Sequence, residues 1–471
     1  WNALVAGYAQ QGLCHEALNC VEEMQKEHLC PNVVTFICIL KACAIVGSIE
    51  EGRRIHEEIV SRGLLGKDIV LGNSLVDMYV KCGMLVKAQE VLKELPVRDN
   101  VSWNALIAGY AQNGHDDNVM DCFQQMQSEG LSPDAITFTC IIQVCGRLGY
   151  LEKGKQIHNE ILSMDLLEND IVLGTALVDM YAKCEILGEA YKVLEELPLR
   201  NVVSWSALIA GHAHQGNCHD ALNCFEQMQN EGIFPNAITF LSILKACATI
   251  GAIERGKQIH DEIVSRGLLE KNIVLTNALV DMYAKCGALE KAQIVLKELN
   301  IRDVISWNAL IAGFAQQGHG LEALDSFRRM QSEGIVPDDV TFLSVLSACG
   351  HSGLLDEAQM VFDNMTENYG ISPKLEHQTC LVVCFGCAGH FDKAISVIKS
   401  MPYSDDPGIW LALLGSCRKW TNVKLGRLVF DQVVQLDSCF ATPYILMADI
   451  FVATGMQEDA KKVEAMRLKY A

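Results

Sequence analysis

Trp103–Tyr110 reads WNALIAGY, and the same pattern stands at Trp1–Tyr8 (WNALVAGY), Trp205–His212 (WSALIAGH) and Trp307–Phe314 (WNALIAGF). Each copy begins 102 residues after the one before it. Self-similarity at a fixed period marks a repeat architecture, and it overrides the roughly three globular domains that the length alone would suggest. Three shorter units fill the period. In the second cycle they run Asn100–Asp134, Ala135–Asp170 and Ile171–Asn201, of 35, 36 and 31 residues.

Each short unit reads as two helices. Leu177, Met180, Tyr181 and Cys184 recur every three or four residues, as one helix face requires. A polar turn follows, and Leu187, Ala190, Val193, Leu194 and Leu197 repeat the pattern. Pro198 closes this second helix, as Pro133 closes the one in the first unit. No unit can bury its apolar stripe alone, so neighbours must stack into one continuous core. The expected fold is all-α: an α-solenoid of helix-turn-helix repeats, wound as a right-handed superhelix, without strands and with long helices of about 10–14 residues.

Composition agrees. Half of the 471 residues are apolar and 20% are charged, so the chain can bury a long core. No apolar run approaches the roughly 20 residues of a membrane helix, and no membrane association is expected. Of the 20 cysteines, Cys43, Cys145, Cys247 and Cys349 follow the 102-residue period, as do Cys82, Cys184 and Cys286, and Cys20, Cys122 and Cys224. Thiols in such register act as small buried apolar groups, and a reducing compartment is expected. The chain starts at Trp1 in mid-pattern, which reads as a fragment whose targeting segment lies outside it.

Several segments carry a family resemblance. SWNALIAGYAQNG (Ser102–Gly114) with FQQMQSEGLSPD (Phe123–Asp134), AITFTCIIQVCGRLGYLEKGKQIH (Ala135–His158), and IVLGTALVDMYAKC (Ile171–Cys184) with EELPLRN (Glu195–Asn201) resemble the PLS class of plant pentatricopeptide repeat (PPR) proteins. The resemblance sets repeat boundaries at 1–32, 33–68, 69–99, 100–134, 135–170, 171–201, 202–236, 237–272, 273–303, 304–338 and 339–374. A terminal S-type repeat follows over 375–406 and ends in SMPYSDD. The stretch 407–471 is similar to the family's E motifs, the second one cut short. Two departures stand out: LVVCFGCAG (Leu381–Gly389) replaces the usual turn, and these 471 residues hold no DYW deaminase domain.

The resemblance implies that the fifth and last residues of a unit read one base of single-stranded RNA. An acceptor-only Asp suits uracil or guanine, which present a ring N–H, whereas Asn can both give and take and suits cytosine or adenine. A small fifth residue leaves room for a purine; Asn reaches a pyrimidine. With the N-terminus at the 5′ end, Asn2 with Asn32 reads cytosine or uracil. Asn73 with Asp99, Asn104 with Asp134, Asn277 with Asp303 and Asn308 with Asp338 read uracil. Thr175 with Asn201 and Ser206 with Asn236 read adenine. Thr139 with Asp170 and Thr379 with Asp406 lean to guanine. Ile37, Leu241 and Leu343, each at the fifth place of a 36-residue unit, cannot hydrogen-bond and make their units silent. The expected target is 5′-Y-n-U-U-(g)-A-A-n-U-U-n-(g)-3′. In this family the second residue clamps the base faces, which falls here on Val34, Val70, Val101, Ile136, Val172, Val203, Ile238, Val274, Ile305 and Val340. The bland alternatives are helix packing for these side chains, and ordinary caps and turns for the polar ones.

Other signals are weaker. His158-Asn159-Glu160 and His260-Asp261-Glu262 match half of a zinc-deaminase motif but lack its cysteine partner. Cys384 and Cys387, near Cys380, lack a second ligand pair. No metal, cofactor, catalytic residue or small-molecule substrate is expected. The net charge of −20 argues for modest nonspecific affinity, with Arg53, Arg54, Lys153, Lys155 and Lys257 as candidate phosphate contacts. The expected function, implied by the resemblance, is a non-catalytic site-recognition factor for C-to-U RNA editing in the mitochondrion or chloroplast. A DYW-type cytidine deaminase or editing-complex protein would join it through the E motifs. The alternatives are an organellar splicing or stability factor, and a protein-binding scaffold of tetratricopeptide type, for which the units would be a uniform 34 residues.

Overall fold

In the computed structural model the described residues are 1–167, 170–269, 272–299, 301–400 and 405–470, so part of SMPYSDD and Ala471 lie outside them. They form 28 α-helices and no strand. Lengths run from 9 residues at Asn2–Gln10 to 14, slightly wider than expected. The three unit lengths have a local cause. The 35- and 36-residue units carry second helices of 13 residues, such as Asp116–Ser128 and Leu151–Ser163. The second helix of the 31-residue unit, Leu187–Glu196, has only 10, because Leu197 turns extended before Pro198.

Most first helices are capped by the last residue of the unit before them. Asp134, at the N-cap of Ala135–Leu148, accepts from the Thr137 amide at 3.0 Å, and the Thr137 hydroxyl accepts in turn from the Asp134 amide at 3.4 Å. Asn32, Asp99, Asn201, Asp303 and Asp338 form the same reciprocal box with Thr35, Ser102, Ser204, Ser306 and Thr341. Such a cap stabilises a helix by about 1 kcal/mol.

The quoted motif distributes its side chains by role. Trp103 is buried, and its indole donates to Glu129 at 3.0 Å, where Arg98 of the preceding unit also binds. Leu106 and Ile107 are fully buried. The glycine permits close helix approach: a Cβ on Gly313 would lie 2.6 Å from the Ala284 Cβ. Phe36, Phe138, Phe240 and Phe342 recur in the core at 0% exposure, each contributing about 2–3 kcal/mol of burial.

Contacts divide the chain into two compact bodies, Trp1–Thr239 and Phe240–Ala471. Within the first, each first helix packs on the next, from Asn2–Gln10 through Val202–His214. Second helices pack on their own first helix and, behind them, on the following one. The second body repeats this arrangement from Ile273–Lys285 through Ala441–Ala453. Stacked helix pairs of this kind are an α-solenoid.

Candidate nucleic-acid interface

The N-terminal turns of the first helices carry a row of uncovered apolar side chains. Val34, Val70, Val101, Ile136, Val172, Val203, Ile238, Val274, Ile305 and Val340 are all between 51% and 64% exposed. Packing on neighbouring helices would have buried them. A β-branched residue costs a helix slightly and leaves a stiff, flat apolar edge to the solvent.

Three residues after six of them, Val70, Val101, Val172, Val203, Val274 and Ile305, stands one member of a polar pair. Asn104 Nδ2 donates to both oxygens of Asp134, at 2.9 and 2.8 Å. Asn73 meets Asp99 at 3.0 and 3.2 Å, Asn277 meets Asp303 at 3.1 Å to each oxygen, and Asn308 meets Asp338 at 2.9 Å. Asn2 donates to Asn32, and Asn201 to Thr175, at 3.2 and 3.3 Å. Ser206 and Asn236 meet through the Thr239 hydroxyl, at 2.6 and 3.0 Å. Asp99, Asp134, Asp303 and Asp338 therefore have two tasks. One carboxylate oxygen caps a helix, while the second retains acceptor capacity beside the asparagine.

Two of the expected pairs are not brought together. Thr139 donates to its own helix at the Ala135 carbonyl, 2.7 Å away, while Asp170 accepts from the amides of Val172 and Leu173. Thr379 likewise turns to the Leu375 carbonyl, and Asp406 caps Gly408. In both units the threonine hydroxyl is taken up one turn back on its own helix. The silent positions remain apolar at Ile37, Leu241 and Leu343. At the last, Lys374 is ion-paired with Asp339.

The cations expected to meet phosphate lie on the second helices. Arg54 pairs with Glu51, Lys155 with Glu152 and Lys257 with Glu254, and Lys153 sits over the Phe123 ring at 5.7 Å. The sequence reading missed a better-placed set. Lys81, Lys183 and Lys285 end first helices and each pairs with an Asp one turn back, at 2.7–2.8 Å. Val172, Thr175, Asp179 and Lys183 are three or four residues apart, hence on one helix face. Lys183 and Arg147 line a groove of about 450 Å³ with Asp179, Gly211 and His214. The 102-residue spacing of these lysines was the available signal.

The half-motifs for zinc belong to packing. His56, His158 and His260 each bond the hydroxyl of Tyr79, Tyr181 or Tyr283 at 2.9 Å, edge to ring. Burial pushes the histidines below their usual range and lifts Tyr181 and Tyr283 to about 12. The Cys384 thiol is raised by burial to about 11, opposite to what a metal thiolate needs. Among the described residues no group of three His, Cys, Asp or Glu side chains is placed to hold a metal, and no helix is long and apolar enough to cross a membrane.

Comparison with known proteins gives the same repeat. The PPR repeat family model matches residues 1–45, 98–147, 200–249 and 302–351, and the PPR repeat model matches 34–64, 73–99, 136–166, 274–304, 340–369 and 379–405. A pentatricopeptide repeat-containing protein of Arabidopsis thaliana is 36% identical over 96% of this chain and 70% of its own length. Two more from that plant are similar, one named chloroplastic (36% identity, 100% and 58% coverage) and one named mitochondrial (35%, 97% and 82%). The chain thus spans 58–82% of these relatives' lengths. Among solved structures, PPR10 in complex with an 18-nt psaJ RNA element superposes with a TM-score of 0.71 at 16% identity, over all of this chain and 73% of that one. With the repeat visible in sequence, helices and relatives alike, the chain belongs to the pentatricopeptide repeat family.

Proposed function

We propose that this chain binds single-stranded RNA with one base per unit, and that it acts as a non-catalytic recognition factor for C-to-U editing in a mitochondrion or chloroplast. The observation that carries the reading is the repeated triplet at the first-helix N-termini: an uncovered Val or Ile beside a hydrogen-bonded polar pair. Apolar edges pack on base faces whatever the sequence, and the polar pair meets the Watson–Crick edge. The PPR10–RNA complex and the organellar names of the relatives support the same partner and place. The editing role rests on the PLS-like unit lengths and on 407–471 as E motifs, which would dock a DYW-type deaminase or another editing protein.

Selection from a random RNA pool tests the binding. The enriched core should carry U-U, A-A and U-U at the spacing 5′-Y-n-U-U-(g)-A-A-n-U-U-n-(g)-3′, and the two unjoined threonine pairs should select least. Asn104→Ala should weaken the matched RNA by about 1–3 kcal/mol and relax selection at one nucleotide only. Equal loss for every base there would make Asn104 structural. Absence of binding at any salt would leave a protein partner as the ligand. Removing the chain from its own cell should abolish conversion of a cytidine a few nucleotides 3′ of this pattern. A change in splicing or transcript level instead would reassign the role.

A further inference from the structure

The four asparagines paired with aspartate are not held alike. After the 35-residue units the next unit has threonine at its third place. Thr137 donates to Asn104 Oδ1 at 2.5 Å and Thr341 to Asn308 Oδ1 at 2.6 Å. Each amide is then fixed from both sides, its nitrogen on the carboxylate and its oxygen on the hydroxyl. After the 31-residue units the third place is serine, and its hydroxyl turns back onto its own cap. Ser102 Oγ donates to the Asp99 carbonyl at 2.8 Å and accepts from the Asp99 amide at 3.0 Å; Ser306 does the same with Asp303. Asn73 Oδ1 and Asn277 Oδ1 are left buried with no hydrogen-bond partner.

We infer that the third residue of the following unit is a positioning residue for pyrimidine choice, threonine enforcing uracil over cytosine and serine leaving the asparagine free to accept either. The inference rests on the base-reading proposal above. Uracil presents a ring N–H between two carbonyls; cytosine presents a ring acceptor beside an amino donor. An asparagine distinguishes them only as well as its own N–H and C=O are fixed, since rotation about Cβ–Cγ exchanges the two. Turning Asn104 breaks its short bond from Thr137 and leaves that hydroxyl only the longer one to Asp134 Oδ1, at 3.1 Å. Turning Asn73 breaks nothing on that side and frees an oxygen whose burial without a partner is itself unfavourable. A cytosine amino group is a donor that such an oxygen can take.

The test measures binding of the full chain to RNAs that differ only at the nucleotides facing units 69–99 and 100–134. Uracil should be preferred over cytosine more strongly opposite Asn104 than opposite Asn73, by about three- to tenfold, the worth of one hydrogen bond. Thr137→Val keeps the shape and removes the hydroxyl; it should lower the preference opposite Asn104 to the level seen opposite Asn73, with preference over adenine retained. Ser102→Ala should change neither ratio. Thr341→Val repeats the test opposite Asn308 if Thr137→Val lowers the melting temperature too far. Equal uracil-to-cytosine ratios opposite Asn73 and Asn104, or a ratio unmoved by both valine variants, overturn the inference while adenine discrimination shows that base reading stands. Indifference to all four bases at both nucleotides overturns base reading itself, and this inference with it.

Discussion

At the scale of single residues, the aspartates that hold an asparagine also cap a helix, so in the proposed reading they serve fold and recognition together. Asp134 Oδ1 accepts from the Thr137 amide while both its oxygens hold Asn104. Separating the two tasks is a matter of chemistry. Asp134→Ala removes cap and reader, and should cost about 1 kcal/mol of stability, read by denaturant unfolding, along with binding. Asp134→Asn retains an oxygen for the cap, so stability should stay within about 0.5 kcal/mol. Its added N–H should move base choice away from uracil at one nucleotide, which single-substitution binding assays would show. If Asp134→Asn destabilises as much as Asp134→Ala, the carboxylate charge matters to the cap and the separation fails.

At the scale of elements, two junctions make predictions. The turn within the 31-residue unit is left-handed, at φ 74° for Gly83 and 76° for Gly287, but the second cycle places Glu185 there at φ 66°. A side chain in that conformation is strained by about 1–2 kcal/mol, partly offset by the entropy a glycine loses on folding. Glu185→Gly should therefore raise stability by about 0.5–1 kcal/mol, measured as a shift in urea midpoint. The second junction is the histidine–tyrosine contact between the 36- and 31-residue units. His56 Nε2 and His158 Nε2 are buried without a partner, and burial lowers the histidines below 6.5. The fold thus favours neutral imidazole and the unfolded chain binds more protons, so stability rises with pH. It is complete above pH 6.5, and is lost as pH falls from there toward the lowered folded value. Melting temperature should drop between pH 7 and pH 5, and less steeply in His158→Gln. An equal slope in that variant would assign the effect to other groups.

At the scale of the whole molecule, charge sets the terms of binding. A net charge of −20 repels phosphate, and the first-helix lysines are already paired with aspartate. For the proposed RNA binding, affinity must then come mostly from stacking and edge contacts, and its salt dependence should be shallow. Each phosphate contact to a single strand contributes about −0.7 to the slope of log affinity against log salt. Lys183→Gln should reduce the slope by about that amount and weaken all RNAs alike. A slope unchanged by the substitution would place Lys183 off the RNA path. The core is tested the same way: Phe138→Ala should cost about 3–5 kcal/mol in thermal or urea unfolding, since the ring is wholly buried.

The 102-residue period, the three unit lengths and the helix faces were open to reading in the sequence, because they rest on contacts three or four residues apart. Helix starts were legible for the same reason, since a cap acts on the amides just after it. The stacked structure alone decided which fifth and last residues meet. Those pairs lie 26 residues apart in the short units and 30 in the longer ones, and they close only through the length of the second helix between them. Thr139 with Asp170 resembles the other pairs on paper, yet the Thr139 hydroxyl bonds its own helix and Asp170 the amides of the next one. Nor could spacing show that Asn73 and Asn104, alike in sequence with their aspartates, differ in a bond to the amide oxygen. That difference arises where a threonine of the next unit reaches back and a serine does not, a matter of side-chain direction in a packed interface.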